Sequence, residues 1–159
     1  GREASTAEGL VEVAMASVNL GALLKDQENF DGARTAWEAA VAVGREASTT
    51  EGLVEVAMAN FNLGVLLEDQ GNPDGARTAY EAAVAVGREA STAEGLVQVA
   101  KASVNLGVLL QDQEDRDGAC AAFREAFETG RAAGTPEGEE VATAAQRALD
   151  VFDCGPPDG

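Results

Sequence analysis

The chain has 159 residues, enough for one domain or one repeat array, and its 45% apolar content can support a core. It carries 28 Asp and Glu against 11 Lys and Arg, a net charge of −17 at pH 7. A field of that sign repels phosphate backbones and anionic membranes, so we expect no nucleic-acid partner and no membrane partner.

The side-chain inventory argues against most catalytic and metal sites. The sequence contains no His, which removes the commonest general base and the commonest metal ligand. It also contains no GxSxG, P-loop or HExxH pattern. We therefore predict that the protein is not an enzyme and that it binds no metal and no other cofactor.

Two cysteines, Cys120 and Cys154, form neither a CxxC pair nor a zinc-ligand pattern. Two thiols in a helical chain fit a reducing compartment, so we expect a cytoplasmic protein. A disulfide between them is the alternative, and it depends on a geometry that the sequence does not show. The chain begins with Gly1 rather than Met, so we expect a piece of a longer protein. No signal peptide is visible, and no run approaches the ~18 apolar residues of a membrane span.

A period of 43 residues organises the chain. Residues 1–43 and 44–86 are identical at 35 of 43 positions, and residues 87–129 form a third, looser copy. Residues 130–153 begin a fourth copy that stops after its first helix. We therefore predict three repeats with these bounds, a C-terminal capping helix within 130–153 and a disordered tail at 154–159.

The first helix of each copy starts after a threonine. Thr135, the equivalent of Thr6, precedes Pro136, and Thr as N-cap with Pro at the first helical position is a typical helix start. Apolar residues then recur at helical spacing on one face of the copy-one helix. They are Leu10, Val13, Ala14, Leu20, Leu23 and Leu24.

The second helix of each copy follows after a short turn. Asn72 precedes Pro73 in copy two, and Asn29 and Asp115 hold the same cap position in the other copies. A calcium-loop lookalike that starts at Gln27 is rejected, because the loop needs Asp there and because Asn29 is needed as a cap. Two short-linked antiparallel helices cannot bury their apolar faces alone, so the pairs must stack.

These pairs resemble the tetratricopeptide repeat, whose signature combines a Leu-Gly pair, a later apolar residue, a small residue, an aromatic residue and an alanine. Copy one has these as Leu20, Gly21, Leu24, Ala33, Trp37 and Ala40, and copies two and three repeat them 43 and 86 residues later. The resemblance implies an all-α fold, an alpha-alpha superhelix (solenoid) of about 3.5 helical hairpins with seven helices. The long period, against the usual ~34 residues, resembles the kinesin light chain subgroup. If Leu20 is fully buried, its replacement by Ala should lower the free energy of unfolding by on the order of 2–5 kcal/mol.

Arrays of this family expose their first helices on a concave side, where the resemblance implies peptide binding. The arc opposite the core holds eight positions of the first helix, and five of the seven positions that differ among the copies fall within it. Drift on a solvated face is the alternative explanation. The predicted peptide-binding residues are Met15, Val18, Asn19, Ala22, Lys25, Met58, Phe61, Asn62, Val65, Lys101, Val104, Asn105 and Val108.

One column of that arc, Asn19, Asn62 and Asn105, is constant, and Asn can both donate to and accept from a peptide backbone. Asn that is merely solvated is the alternative. The carboxylate clamp of chaperone-binding relatives is matched at two of its five positions, Asn62 and Lys101. We expect it to be absent, because Val18 and Ala22 stand where that clamp has Lys and Asn, and Asn105 stands where it has a basic residue. Together with the negative charge, this predicts a protein or peptide ligand that is not acidic.

A second function is compatible with the same sequence, that of a structural spacer or self-assembly element. In the sequence as given, copy one follows no other copy, so we expect part of the apolar face of its first helix to stay uncovered. We therefore predict a weak homo-oligomer through the N-terminal repeat, with a two-fold contact preferred over a head-to-tail one because the last helix carries polar Glu139, Glu140, Gln146 and Arg147.

Overall fold

The computed structural model describes residues 6–155, and these residues form seven α-helices. Successive helices pack on each other, and each odd-numbered helix also contacts the next odd-numbered one. This stack of three hairpins and a final first helix is the predicted helical solenoid. The helices are α1 (Ala7–Asp26), α2 (Phe30–Ala47), α3 (Thr50–Asp69), α4 (Pro73–Ala90), α5 (Ala93–Asp112), α6 (Arg116–Ala132) and α7 (Pro136–Val151).

Every helix begins at its predicted cap. The Thr6 Oγ1 atom accepts a hydrogen bond from the Gly9 backbone N at 2.9 Å, and the Asn29 Oδ1 atom accepts one from the Gly32 N at 3.0 Å. The same bond recurs at the other threonine caps and at Asn72 and Asp115. Each cap satisfies a backbone N–H group that has no partner within the helix.

An aromatic residue of the second helix fills the interior of each hairpin. Trp37, Tyr80 and Phe123 are almost fully buried. Each ring lies against the glycine of the Leu-Gly pair, and a Cβ atom placed on Gly107 would lie 2.5 Å from the Phe123 Cε1 atom. The small residue and the large one are therefore complementary parts of a single contact.

Neighbouring hairpins meet where a second helix passes close to the next first helix. A Cβ atom on Gly52 would lie 2.5 Å from the carbonyl oxygen of Gly44, and one on Gly95 would lie 2.6 Å from that of Gly87. A side chain at these glycines would have to push backbone aside. The glycines therefore set the spacing between hairpins.

The N-terminal end of the stack leaves apolar side chains uncovered. Leu20 is 49% exposed and Val13 is 52% exposed, whereas the equivalent Leu63 and Val56 are 8% and 0% exposed. Leu20 is therefore not fully buried, so the larger truncation cost given for a fully buried Leu20 does not apply to it; no helix precedes α1 among the described residues. The side chain of Leu63, by contrast, is covered within the stack.

The C-terminal end is closed by a covalent link. Cys120 of α6 and Cys154 form a disulfide, and their Cα atoms are 5.5 Å apart. Phe152 stacks on Phe123 with ring centroids 5.6 Å apart, and Arg116 donates to the Asp153 carbonyl oxygen at 2.6 Å.

The disulfide corrects one prediction and weakens another. The tail was predicted to be disordered from residue 154, but Cys154 is bonded to α6; residues 156–159 lie outside the described part of the chain. The cytoplasmic location was inferred from two free thiols. Disulfides persist in oxidising compartments, so the cysteines no longer argue for a cytoplasmic location. The location itself stays a prediction.

By length and composition alone, α1 is apolar enough to cross a membrane, contrary to the sequence expectation. The closely similar α3 is a core helix of this stack, with Val56, Ala57 and Leu66 buried. Packing between repeats therefore accounts for an apolar helix of this kind.

Candidate functional site

A continuous groove crosses the first helices in their amino-terminal halves. One section crosses α1, α3 and α5, and the next crosses α3, α5 and α7 and has a volume of about 690 Å³. We call this surface the concave groove. It is lined by Val11, Met15, Glu51, Val54, Glu55, Met58, Glu94, Val97, Gln98, Glu137 and Glu140.

The concave groove combines apolar floor residues with carboxylates. Val11, Val54 and Val97 are equivalent residues of three successive first helices and continue the apolar lining from one to the next. The carboxyl group of Glu55 lies among them, and its burial raises its pKa above the ordinary value. A partly desolvated carboxylate gains more from a nearby cation than a solvated one does.

The chain itself places a cation at one point of this surface. The Lys101 Nζ atom lies 3.8 Å from a Glu137 carboxylate oxygen and 5.0 Å from the centre of the Phe61 ring. The ammonium group is therefore held by an opposite charge on one side and an aromatic ring on another. A cation, a carboxylate and an aromatic ring thus meet at this point of the surface.

The other two copies lack that cation. Met15 and Met58 take the position of Lys101, and Glu51 and Glu94 take the position of Glu137. Both Met–Glu pairs line the concave groove. In each pair the carboxylate is kept, and a flexible methionine side chain stands where the third copy has the lysine ammonium group.

The structure divides the predicted site residues by exposure. Val18 is 3% exposed and packs in the core, so its assignment to a binding surface is wrong. Met15 and Met58 line the concave groove, and Lys101 pairs with the groove residue Glu137. Met15, Asn19, Ala22 and Val108 are exposed, and Lys25, Met58, Phe61, Asn62, Val65, Lys101, Val104 and Asn105 are half-buried.

The asparagine column is not uniform in its surroundings. Asn105 donates to the hydroxyl oxygen of Tyr80 at 3.4 Å, and that hydroxyl donates to a Glu68 carboxylate oxygen at 2.8 Å. Burial, with the hydrogen bond to Glu68, raises the pKa of Tyr80 above its ordinary value, so the phenol keeps its proton. Asn105 thus has a contact within the protein, and peptide binding by Asn19 and Asn62 stays a prediction.

Sequence reasoning missed the acidic part of the groove. Glu51, Glu94 and Glu137 lie in the first turns of their helices, where a carboxylate suits the helix dipole, and no binding role was predicted for them. The site was selected from positions that differ among copies together with the constant Asn column, and the constant Glu column was left out because the helix start already explained it. One signal could have revealed the glutamates. Each lies on the first helix that follows Met15, Met58 or Lys101, so the two columns face each other across neighbouring helices.

No group of three or more Cys, Asp or Glu side chains placed to hold a metal ion occurs within residues 6–155. The carboxylates of the groove are spread over successive helices instead, one or two to a helix. Their arrangement suits several separate contacts along an extended ligand.

Two family models, each described as a tetratricopeptide repeat, match residues 18–94 and 99–133. Among solved structures, the N-terminal domain of stress-induced protein-1 (STI-1) from C. elegans is similar, with a TM-score of 0.60 and 21% sequence identity. That match covers 86% of this chain and 97% of the other, and it supports the fold. No curated protein matches the chain. The kinesin light chain subgroup stays a prediction.

Proposed function

Since this chain belongs to the tetratricopeptide repeat family and is a protein-interaction scaffold, we propose that it binds a basic, amphipathic peptide segment in the concave groove. Domains of this family are generally non-catalytic. The observation that carries the proposal is the run of carboxylates and apolar side chains across four first helices. A groove of this composition suits a ligand that alternates cationic and apolar groups.

Lys101 provides the internal precedent for the ligand's cations. Its ammonium group occupies the space beside Glu137, and the equivalent spaces beside Glu51 and Glu94 are bordered by Met15 and Met58. A ligand Lys or Arg placed there would meet a carboxylate as Lys101 does. The intervening valines would contact the ligand's apolar side chains.

Replacing Met58 with Lys tests this proposal, because it builds the copy-three arrangement in copy two. The new ammonium group would neutralise Glu94 and repel a ligand cation. We expect a labelled peptide of alternating Lys and Leu to bind about tenfold more weakly, equivalent to ~1.4 kcal/mol. Fluorescence anisotropy at moderate salt measures the change. Met58→Leu should keep the affinity of the parent chain.

Two controls separate the groove from general attraction to an acidic protein. Ala42→Lys adds the same charge to an exposed position of α2, outside the groove, and should change the affinity little. A peptide of alternating Glu and Leu should not bind. Equal losses for Met58→Lys and Ala42→Lys would show that net charge, and not the groove, determines binding.

Because the pKa of Glu55 is raised, binding should weaken as the pH falls through that pKa and the carboxylate is lost.

Assembly through the open N-terminal end is a second candidate function. The exposed Val13, Leu20 and Leu23 form an apolar surface whose equivalents are buried in copy two. Exposed apolar surfaces of this kind indicate interaction sites. A net charge of −17 opposes self-association, so a weak homo-oligomer should strengthen with added salt. Sedimentation equilibrium measures this, and a chain that stays monomeric at high salt would contradict it.

A further inference from the structure

We infer that the open face of α1 is a docking site for an α-helix with the sequence pattern of α2, supplied by another repeat unit. We define the open face by its residues Gly9, Leu10, Val13, Leu20 and Leu23. This inference goes beyond the peptide groove and rests on the open end proposed as an assembly surface. The occupant can be named because α2 packs on the equivalent surface of α3 in the next copy.

The open face has the same residues as the covered face of α3. Gly52, Leu53, Val56, Leu63 and Leu66 stand at the equivalent positions, and each is identical to its counterpart on α1. In α3 the last three are between 0% and 8% exposed. Since α2 packs on α3, the identical residues of α1 present a surface already matched to a helix of that sequence.

The contact in copy two identifies the parts of α2 that fit. Val41 packs beside Val56 and Leu53 in one apolar cluster. Gly44 lies so close that a Cβ atom on it would be 2.6 Å from the Val56 Cγ2 atom. Small residues on α2 thus allow the two helix backbones to approach, and the apolar side chains fill the remaining space.

A groove between the two helices of each hairpin also receives the preceding helix. In copy three, Ser103, Leu106 and Ala122 line this groove, and Val84 and Arg88 of α4 border it. In copy one the equivalent Ser17, Leu20 and Ala36 line a groove that is bordered only by α1 and α2 among the described residues. A helix of the α2 pattern would restore the missing wall.

Gly9 provides the geometric signature of this docking mode. At the equivalent Gly52 and Gly95, an added Cβ atom would strike the backbone of the preceding second helix. At Gly9, the contact found among the described residues is with Thr6, whose Oγ1 atom would lie 3.1 Å away. A side chain at position 9 would therefore require the Thr6 side chain to shift by a few tenths of an ångström, whereas it would meet the backbone of a helix that docks as α2 docks on α3.

An intact second copy does not offer the required helix. Its α2, α4 and α6 are covered by α3, α5 and α7, and the disulfide ties the segment after α7 to α6. Within residues 6–155, the helix face that a second copy leaves uncovered at this end is its own α1 face, which has the sequence pattern of α3 and not that of α2. The occupant is therefore a second helix from a repeat unit whose own covering helix is absent.

The probe is a labelled peptide with the sequence of residues 30–48, binding to the full chain in fluorescence anisotropy. A lactam joins positions 34 and 38 after Arg34→Lys, because Arg34 and Glu38 are exposed neighbours one helical turn apart. The bridge favours the helix, which a short peptide alone forms poorly. The same peptide with Val41→Asp is the matched control and should not bind.

Three protein variants decide the geometry. We expect Leu20→Lys and Gly9→Gln each to weaken binding by about tenfold or more, the ratio that ~1.4 kcal/mol represents. Val151→Lys changes an exposed apolar residue at the other end of the stack and should leave binding unchanged. Circular dichroism verifies that all three remain folded.

Each other outcome overturns the inference. An absence of binding by the parent chain excludes α2-type helices as the occupant. A loss with Leu20→Lys but not with Gly9→Gln shows a nonspecific apolar contact. A dimer that Leu20→Lys abolishes and the peptide does not displace shows that a second copy occupies the face. None of these results bears on the concave groove, which uses other residues.

Discussion

Leu63→Ala will lower the free energy of unfolding by about 2–5 kcal/mol, whereas Leu20→Ala will lower it by roughly 1 kcal/mol or less. Both residues belong to a Leu-Gly pair in nearly identical local sequences. Leu63 is 8% exposed between two hairpins, so its truncation leaves a cavity lined by neighbours that cannot all relax. Leu20 is 49% exposed, and water fills the space that its truncation leaves.

Urea denaturation followed by circular dichroism measures both variants against the parent chain. The pair is informative because the chemical change is the same at both sites and the local sequences are nearly identical. The difference therefore isolates the coverage of the residue by the preceding helix. Equal losses would contradict the open end, since they would mean that something covers Leu20 in solution.

Breaking the Cys120–Cys154 disulfide will lower the free energy of unfolding by about 3–4 kcal/mol in the chain-entropy description of cross-links. The bond joins residues 34 positions apart, so it restricts the unfolded chain over a loop of that length. It also keeps Phe152 on Phe123 and the carbonyl oxygens of Asp153 and Cys154 within reach of Arg116 and Arg124. Those contacts weaken when the segment is released.

The measurement compares the parent chain with and without a thiol reductant, and Cys154→Ser under both conditions. Reductant should destabilise the parent chain to about the level of Cys154→Ser and should leave that variant unchanged. Thermal and urea unfolding report the difference. An identical stability of the oxidised and reduced parent chain would contradict a structural role for this bond.

The elements of this fold were predictable because their causes are local. The side chains of Thr6 and Asn29 accept hydrogen bonds from backbone N–H groups only three residues away. A cap can therefore be recognised from a short stretch of sequence. The period of 43 residues and the pairing of a glycine with an aromatic residue repeat three times, and repetition identifies the hairpin as the structural unit. The seven helices and their order follow from these signals.

The site was predictable only in part. Met15, Met58 and Lys101 were found because they differ among otherwise similar copies, and they do border the groove or its ion pair. Val18 was placed on the wrong surface, because an ideal helical projection does not show how deeply a neighbouring helix covers a position near its edge. The invariant glutamates were missed because their position in the first turn of each helix is explained by the helix dipole without any ligand.

The sequence by itself determined where each helix starts, which residues recur and which sign of charge the surface carries, since caps, periodicity and composition depend on near neighbours along the chain. Only the tertiary structure decided that Leu63 is buried and Leu20 is not, that Cys120 meets Cys154, and that Glu137 meets Lys101. These outcomes depend on which helix lies beside a residue in space, and identical local sequences acquire different environments when the neighbouring repeat is present at one site and absent at the other.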